Sequence, residues 1–396
     1  MPHTLRTSVA DDAGMVYSKQ EQISHVARRL GFGVEPAIIM DAASTDDAIA
    51  TALDTSTPTP PAQLPDPPTD LEDARSPEQR SAPSVYWFTQ MISGPNRIEE
   101  RLAWFWHDHF STSVRKVKVP YLMFKQHITI RNSATGNFRD LLYDVATDAA
   151  MLLYLDGAKN TKDAINENFG REVMELFTMG RGNYTEADVV AASRAFSGWV
   201  VPRGPRARER GLDLWTSTFV PFRHDDGMKT FLGNTGALDT GDAIDVILDQ
   251  EATALFIGSK LYSEIVGFAP DAVAVERVAT AFRKNYEIMD LVEAIVSDPM
   301  FVSETSIQSK VRTPIERAVG IAQAFGYEAE RATQVRGQGN TIVRALERLG
   351  YLPFNPPNVA GYAKGHRLLG PFSLVHGFDL AGLIPPDVEG FTGTEL

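Results

Sequence analysis

The run from Asn166 to Thr178, NENFGREVMELFT, sets two carboxylates, a guanidinium and a carboxamide at helical spacing. At 3.6 residues per turn, Asn168, Arg171, Glu172 and Glu175 share one stripe. Phe169, Val173, Leu176 and Phe177 form the adjoining apolar face. Two carboxylates one turn apart repel each other unless a cation, a proton or an arginine lies between them. The stripe therefore offers a cation seat or an acid–base pair. The plain alternative is a solvated helix face with a local Arg–Glu pair, which does little.

Two further segments carry ligating side chains. Trp104-Phe105-Trp106-His107-Asp108-His109-Phe110 holds a His-x-His. Residues two apart on a helix point about 200° apart, so His107 and His109 reach one ion only where the helix ends or the chain is extended. The plain reading is a pair of core histidines at a helix end. His224-Asp225-Asp226-Gly227-Met228-Lys229 reads as a tight turn that presents His224, Asp225 and Lys229 together, with Gly227 free to take a positive φ. Arg203 to Arg210 is a local basic loop, read as solvated. Gly337-Gln338-Gly339 follows no strand and lacks the full glycine fingerprint. A nucleophile elbow, a phosphate-binding loop and the His-Glu-x-x-His zinc motif are absent.

Composition narrows the classes. The chain has 396 residues, enough for one large core or two domains. Formal net charge is −13 and the pI is about 5.1, which removes a general nucleic-acid footprint. With no cysteine, disulfides, thiolate nucleophiles and Cys-ligated metals are excluded, so any metal must use His, Asp, Glu, Asn or backbone oxygen. Residues 1–17 lack an apolar leader core, and no apolar run reaches membrane length, which predicts a cytoplasmic chain as written.

These residues need elements to hold them, and the pattern is mainly α. Ser18-Lys19-Gln20-Glu21 is a capping box for a helix to Leu30, with Gly31 as its stop. A short helix follows near Asp46 to Leu53. Pro58 to Pro83 is proline-rich and predicts an irregular linker, dividing an N-terminal helical segment (1–57) from a main domain (84–396). Helices are expected around Tyr86–Phe88, from Pro95 through Trp106, from Pro120 through Ile130, and as one long apolar helix from Phe138 to Asp156. Thr185-Glu186-Ala187-Asp188 caps another, running to Gly198-Trp199. Alternation from Leu212 to Phe222, a turn at Asp226-Gly227 and a return over Met228 to Leu232 predict one β-hairpin near 212–233. Asp242 to Leu349 reads as further helices.

The ordered motifs HVARRLGFG at 25–33, FWHDHF at 105–110, NENFGREVMELFT at 166–178, GNYT at 182–185, Gly198-Trp199, HDDGMKT at 224–230, RTPIE at 312–316 and PPNVAGY at 356–362 resemble the bacterial domain of unknown function 1800 family over nearly the whole chain. Tyr362 stands where that family generally has tryptophan, and Gly170 where a small residue such as alanine is usual. The resemblance implies a largely helical fold, export as an alternative to the cytoplasm, and a sulfatase-like companion protein. It supplies no reaction.

Two function classes follow. The first is a metal-dependent enzyme. His107, His109, Glu172, Glu175, His224 and Asp225 would hold manganese, iron, zinc or magnesium, for hydrolytic or oxidative chemistry. Glu172, Glu175, His224 and Arg171 would be its catalytic groups, and Asn168 and Lys229 would bind a small-molecule or glycan substrate. A metal-free version uses Glu172 and Glu175 as acid and base. The second is a non-catalytic binding or assembly protein whose polar residues lock the helices, with Arg171 neutralising the two glutamates. Polar groups are costly to bury without partners, so both readings expect Glu172, Glu175 and His224 in one pocket.

Overall fold

The computed structural model describes residues 17–33, 41–57, 66–68, 73–75, 77–94, 97–203, 205–324, 342–378 and 380. Helix α1 (Lys19–Leu30) starts as its capping box dictates. The Glu21 N–H donates to Ser18 Oγ at 3.3 Å, and the Ser18 N–H donates to the Glu21 carboxylate at 2.7 Å. Its buried face, Ile23, Val26, Ala27 and Leu30, packs on α2 (Thr45–Leu53). Longer-range bonds tie α1 to the far end of the chain. His25 Nε2 hydrogen-bonds the Phe301 carbonyl at 2.7 Å, and Arg29 donates to the Ser306 carbonyl at 2.9 Å. The N-terminal helices are therefore fastened onto the main body.

The proline-rich segment gives way to helix earlier than its composition predicts. Helix α3 spans Pro77–Ser93. Proline suits a first helical position, where its missing N–H has no partner to lose. Pro83 lies inside the same helix. Asp66 to Pro68 is irregular, as expected, while 58–65, 69–72 and 76 lie outside the described residues. Next come α4 (Arg97–His109), α5 (Val114–Val117) and α6 (Pro120–Ser133). The expected single helix over 138–156 is two: α7 (Phe138–Thr147) and α8 (Ala149–Tyr154). Asp148 separates them in an extended conformation and accepts the Met151 N–H at 2.9 Å as the cap of α8. Burial pushes its carboxyl up to about 7, despite bonds from Met151 and Gln126.

Helix α9 (Glu167–Glu172) continues as a π-helical turn over Val173–Thr178. The Met179 N–H reaches back five residues to the Met174 carbonyl at 2.9 Å, and Thr178 Oγ1 does the same to the Val173 carbonyl at 2.7 Å. Helix α10 (Glu186–Ala195) starts on its Thr185/Asp188 capping box and packs against α9. Gly170 permits that packing, since a Cβ there would sit 2.5 Å from Ser193 Oγ and 2.9 Å from the Ser193 backbone nitrogen.

The β-structure differs from the predicted hairpin. Strand β1 (Trp199–Val200) pairs with β2 (Thr218–Phe219), and β3 (Lys229–Phe231) pairs with β4 (Asn234–Gly236), both antiparallel. Between β1 and β2 lies a one-turn helix α11 (Pro205–Glu209) where a basic loop is expected. Pro221 turns the chain after β2. The tight hairpin turn is Leu232-Gly233, with φ of 46° and 86°, because a two-residue loop matching strand twist needs two positive φ values. Asp226-Gly227 is a separate turn, held by the Gly227 N–H donating to Asp225 Oδ1 at 3.0 Å.

The remainder is helical: α12 (Thr240–Asp249), α13 (Glu251–Val266), α14 (Ala272–Arg283), α15 (Ile288–Val296), α16 (Pro314–Ala324), α17 (Ile342–Arg348) and α18 (Pro371–Phe378). Helix α13 packs on α14 and on the π turn, so the motif over 166–178 backs directly onto it. Among the described residues, no helix is long and apolar enough to cross a membrane.

Candidate functional site

The structure places the expected site residues in separate local groups. Arg171 makes no ion pair with Glu172 or Glu175; it grips Glu186 with two bonds of 2.8 and 2.7 Å and lies 3.6 Å from Glu167. Glu175 accepts the Tyr184 hydroxyl at 2.9 Å and pairs with Arg181. Burial raises the Glu175 pKa, but the Arg181 and Tyr184 bonds outweigh it and keep the carboxyl below its ordinary value. Glu172 is half-buried and has no hydrogen bond or ion pair among the described residues. Burial, then the Glu175 charge, raises its pKa. Asn168 is exposed, and its amide donates to the Leu155 carbonyl at 3.2 Å.

The histidine and turn residues are occupied elsewhere. As the 200° spacing requires, the two helix-end histidines face different neighbours. His107 Nε2 accepts the Phe354 N–H at 3.1 Å, whereas His109 Nε2 donates to the Phe177 carbonyl at 2.9 Å. Burial holds His107 down at about 3 and His109 well below its ordinary value. His224 Nδ1 donates to the Ser197 carbonyl at 3.0 Å. Both Asp225 oxygens accept from Arg194, at 2.7 and 3.0 Å. The buried Lys229 ammonium donates to the carbonyls of Asp225 at 2.8 Å and Leu238 at 2.9 Å. The six expected metal ligands thus do not form one ligand set. Among the described residues, no three His, Asp or Glu side chains stand close enough together to hold an ion.

A different cluster is built like a site. Arg101 on α4 is 1% exposed and contacts Glu264 of α13 at 2.6 Å and Glu316 of α16 at 2.5 Å. Lys310 bridges the same two carboxylates at 2.7 and 3.0 Å. Lys364 reaches Asp108 at 2.6 Å and Glu264 at 3.4 Å. Asp108 also accepts the Tyr362 N–H at 2.7 Å, which fixes the segment carrying Lys364. The turn needs Gly361, whose φ is 93° and where a Cβ would collide with the Asp108 carboxylate. Burial alone would raise the Glu264 carboxyl, but Lys310, Lys364 and Arg101 hold it well below its ordinary value. Glu316 is depressed in the same way by Lys310 and Arg101.

This network walls a cleft of about 520 Å³, lined by Lys260, Glu264, Lys310, Lys364, His366 and a set of serines. That volume suits a small organic ligand. A second cleft of about 320 Å³, lined by His25, Arg28, Arg29, Lys310 and Arg312, adjoins it at Lys310. Six cations (Arg29, Arg101, Lys260, Lys310, Arg312 and Lys364) interact with three carboxylates (Asp108, Glu264 and Glu316). Lys260 has no hydrogen bond or carboxylate partner within ion-pair distance among the described residues. Its ammonium lies 5.1 Å from the centre of the Phe256 ring. Burial, then the Lys364 charge, lowers its pKa to about 8.

Sequence reading passes over this cluster because its members come from four segments at least 46 residues apart. Two signals were present. Asp108 sits between the two histidines of the FWHDHF motif, and Glu316 ends the RTPIE motif. There Glu316 accepts the Thr313 N–H at 2.6 Å and so forms the start of α16.

No curated protein and no solved structure matches the chain. The motifs that build this core run in order along nearly its whole length, and the match of a family model to residues 25–382 agrees with that order: the chain belongs to the DUF1800 family, described as a protein of unknown function.

Proposed function

We propose that this protein binds a small oxyanion, a carboxylate-, phosphate- or sulfate-bearing compound, in the cleft formed by Lys260, Lys310 and Lys364. The observation that carries this reading is the half-buried Lys260 ammonium, which lies beside Lys364 and has no carboxylate within ion-pair distance among the described residues. A partly desolvated charge without a close counter-ion is disfavoured, and an anionic ligand supplies that partner. The excess of cations is local, on a chain whose net charge is −13, so it favours a small ligand over a long polyanion.

Specific bonds favour a structural role for the motif residues Asn168, Arg171, Glu175, Asp225 and Lys229. Each closes a local bond between neighbouring segments, and together they lock the helices and turns. A metal-dependent reaction through these groups would need ligands brought together from separate places.

The test is a thermal-shift series at constant ionic strength with chloride, acetate, phosphate, sulfate and citrate. Binding to the native state raises the melting temperature with ligand concentration. At least one oxyanion should shift the melt saturably where chloride does not. Equal responses to every salt would remove the reading.

A further inference from the structure

We propose that Lys260 is a reactive amine that condenses with the carbonyl carbon of a small oxo acid, while Lys364 seats the acid's carboxylate. This deepens the anion-binding reading and rests on it.

The three lysines of the cleft are not equivalent. Lys310 directs its ammonium at three acceptors: the Glu264 carbonyl at 3.2 Å, Glu264 Oε1 at 2.7 Å and Glu316 Oε1 at 3.0 Å. An ammonium has three donors, so Lys310 is fully engaged. Lys364 is fixed by Asp108 and Glu264; these outweigh burial and raise its pKa. Lys364 keeps one donor free for a ligand carboxylate, and Lys310 does not. Lys260 is the cleft lysine whose nitrogen meets no acceptor among the described residues.

The groups around Lys260 disfavour its charged form. Burial and then the Lys364 charge lower its pKa, and they outweigh Asp108 and the face of the Phe256 ring, which favour the ammonium. A lysine desolvated beside a second cation is the usual arrangement for an amine nucleophile. With a pKa of about 8, roughly a fifth of Lys260 is neutral at pH 7.4, against about a thousandth for an ordinary lysine.

The step balances without a redox partner. The neutral Nζ lone pair forms a C–N bond to the carbonyl carbon. The nitrogen gives up its two protons, the C–O bond breaks, and the oxygen leaves as water. The product is an imine between Lys260 and the oxo acid.

The experiment is reductive trapping of the full chain with glyoxylate and cyanoborohydride, read by peptide mass mapping. Acetaldehyde serves as the uncharged control, and the exposed Lys19 and Lys284 serve as internal references. Expected is at least tenfold faster labelling of Lys260 than of either reference with glyoxylate. That preference should be smaller with acetaldehyde, which lacks the carboxylate, and the labelling rate should rise with pH to a midpoint near 8. K364M, which removes the carboxylate seat, should lower the glyoxylate preference at Lys260. Labelling of Lys260 at the pace of Lys284, or equal preference with both aldehydes, would overturn the proposal. If oxyanions shift the melt but Lys260 is not selectively trapped, the amine chemistry is wrong and the binding reading stands. If neither occurs, both fall.

Discussion

Arg101 on α4 contacts Glu264 on α13 at 2.6 Å across 163 residues of sequence, and the two side chains are 1% and 8% exposed. Removing one partner of such a buried pair leaves the other charge without its counter-ion in a medium that solvates it poorly. R101M should therefore lower stability by about 3–5 kcal/mol in urea unfolding, since Glu264 and Glu316 both lose a neighbour. R101K keeps the charge without the planar fork and should cost less. A loss below about 1 kcal/mol for R101M would mean that Lys310 and Lys364 satisfy the glutamates alone.

The buried histidines make the fold sensitive to acid. Burial lowers the pKa of His25 to about 4 and of His107 to about 3, and holds His109 and His127 well below their ordinary value. A depressed histidine is neutral when folded and takes up a proton on unfolding below about pH 6.5. Its contribution is present above that pH and is lost as pH falls. Glu100 and Asp148 work in the opposite direction. Burial raises both to about 7, so their contribution is full at low pH and is lost as pH rises through that value. Each group changes stability by about 1.4 kcal/mol per pH unit inside its window. With four histidines against two acids, the net loss should be about 2–3 kcal/mol per unit between pH 6.5 and 4.5. Neither ring nitrogen of His127 has a hydrogen-bond partner among the described residues, and the ring lies 4.1 Å from that of Trp87. H127F should hold stability near wild type at pH 8 and flatten this acid slope by about 1.4 kcal/mol per unit. Urea midpoints across pH measure both, and a wild-type stability flat from pH 6.5 to 4.5 would contradict the account.

Glu172 and Glu175 test the metal expectation separately. The raised pKa of Glu172 means that its charged form is disfavoured in the folded chain, so its contribution falls as pH rises through the folded value. E172Q fixes the uncharged form. It should gain roughly 0.2–0.5 kcal/mol at pH 8, the scale of a like-charge pair on a helix, and nothing at pH 4. Added manganese or zinc should shift the melts of wild type and E172Q equally. A metal shift present in wild type and absent in E172Q would restore the carboxylate pair as a cation seat.

Local signals in the sequence led to the correct local structures. The Ser18 and Thr185 caps, the helical run over 166–178 and the opposed histidines at 107 and 109 all follow from spacing within one or two turns. Expectations failed where a single residue redirects the chain. Asp148 splits an apolar helix by capping its second half, and Leu232-Gly233 moves the hairpin because those residues take the positive φ values. The site was the least legible part. Glu172, Glu175 and His224 look alike as polar residues in apolar sequence, yet Arg181, Tyr184 and Ser197 engage the last two locally. The lysine cleft depends on Asp108, Lys260, Glu264, Lys310 and Lys364, whose proximity only the packed helices create.

The central claim is that Lys260 binds an oxyanion in this cleft. Calorimetric titration at constant ionic strength, with the oxyanion that most stabilises the wild type, tests it on wild type, K260M and the surface control K284M. Wild type and K284M should bind one equivalent with the same affinity, and K260M should bind at least tenfold more weakly, a change of about 1.4 kcal/mol or more. Equal affinities for all three proteins would contradict the account.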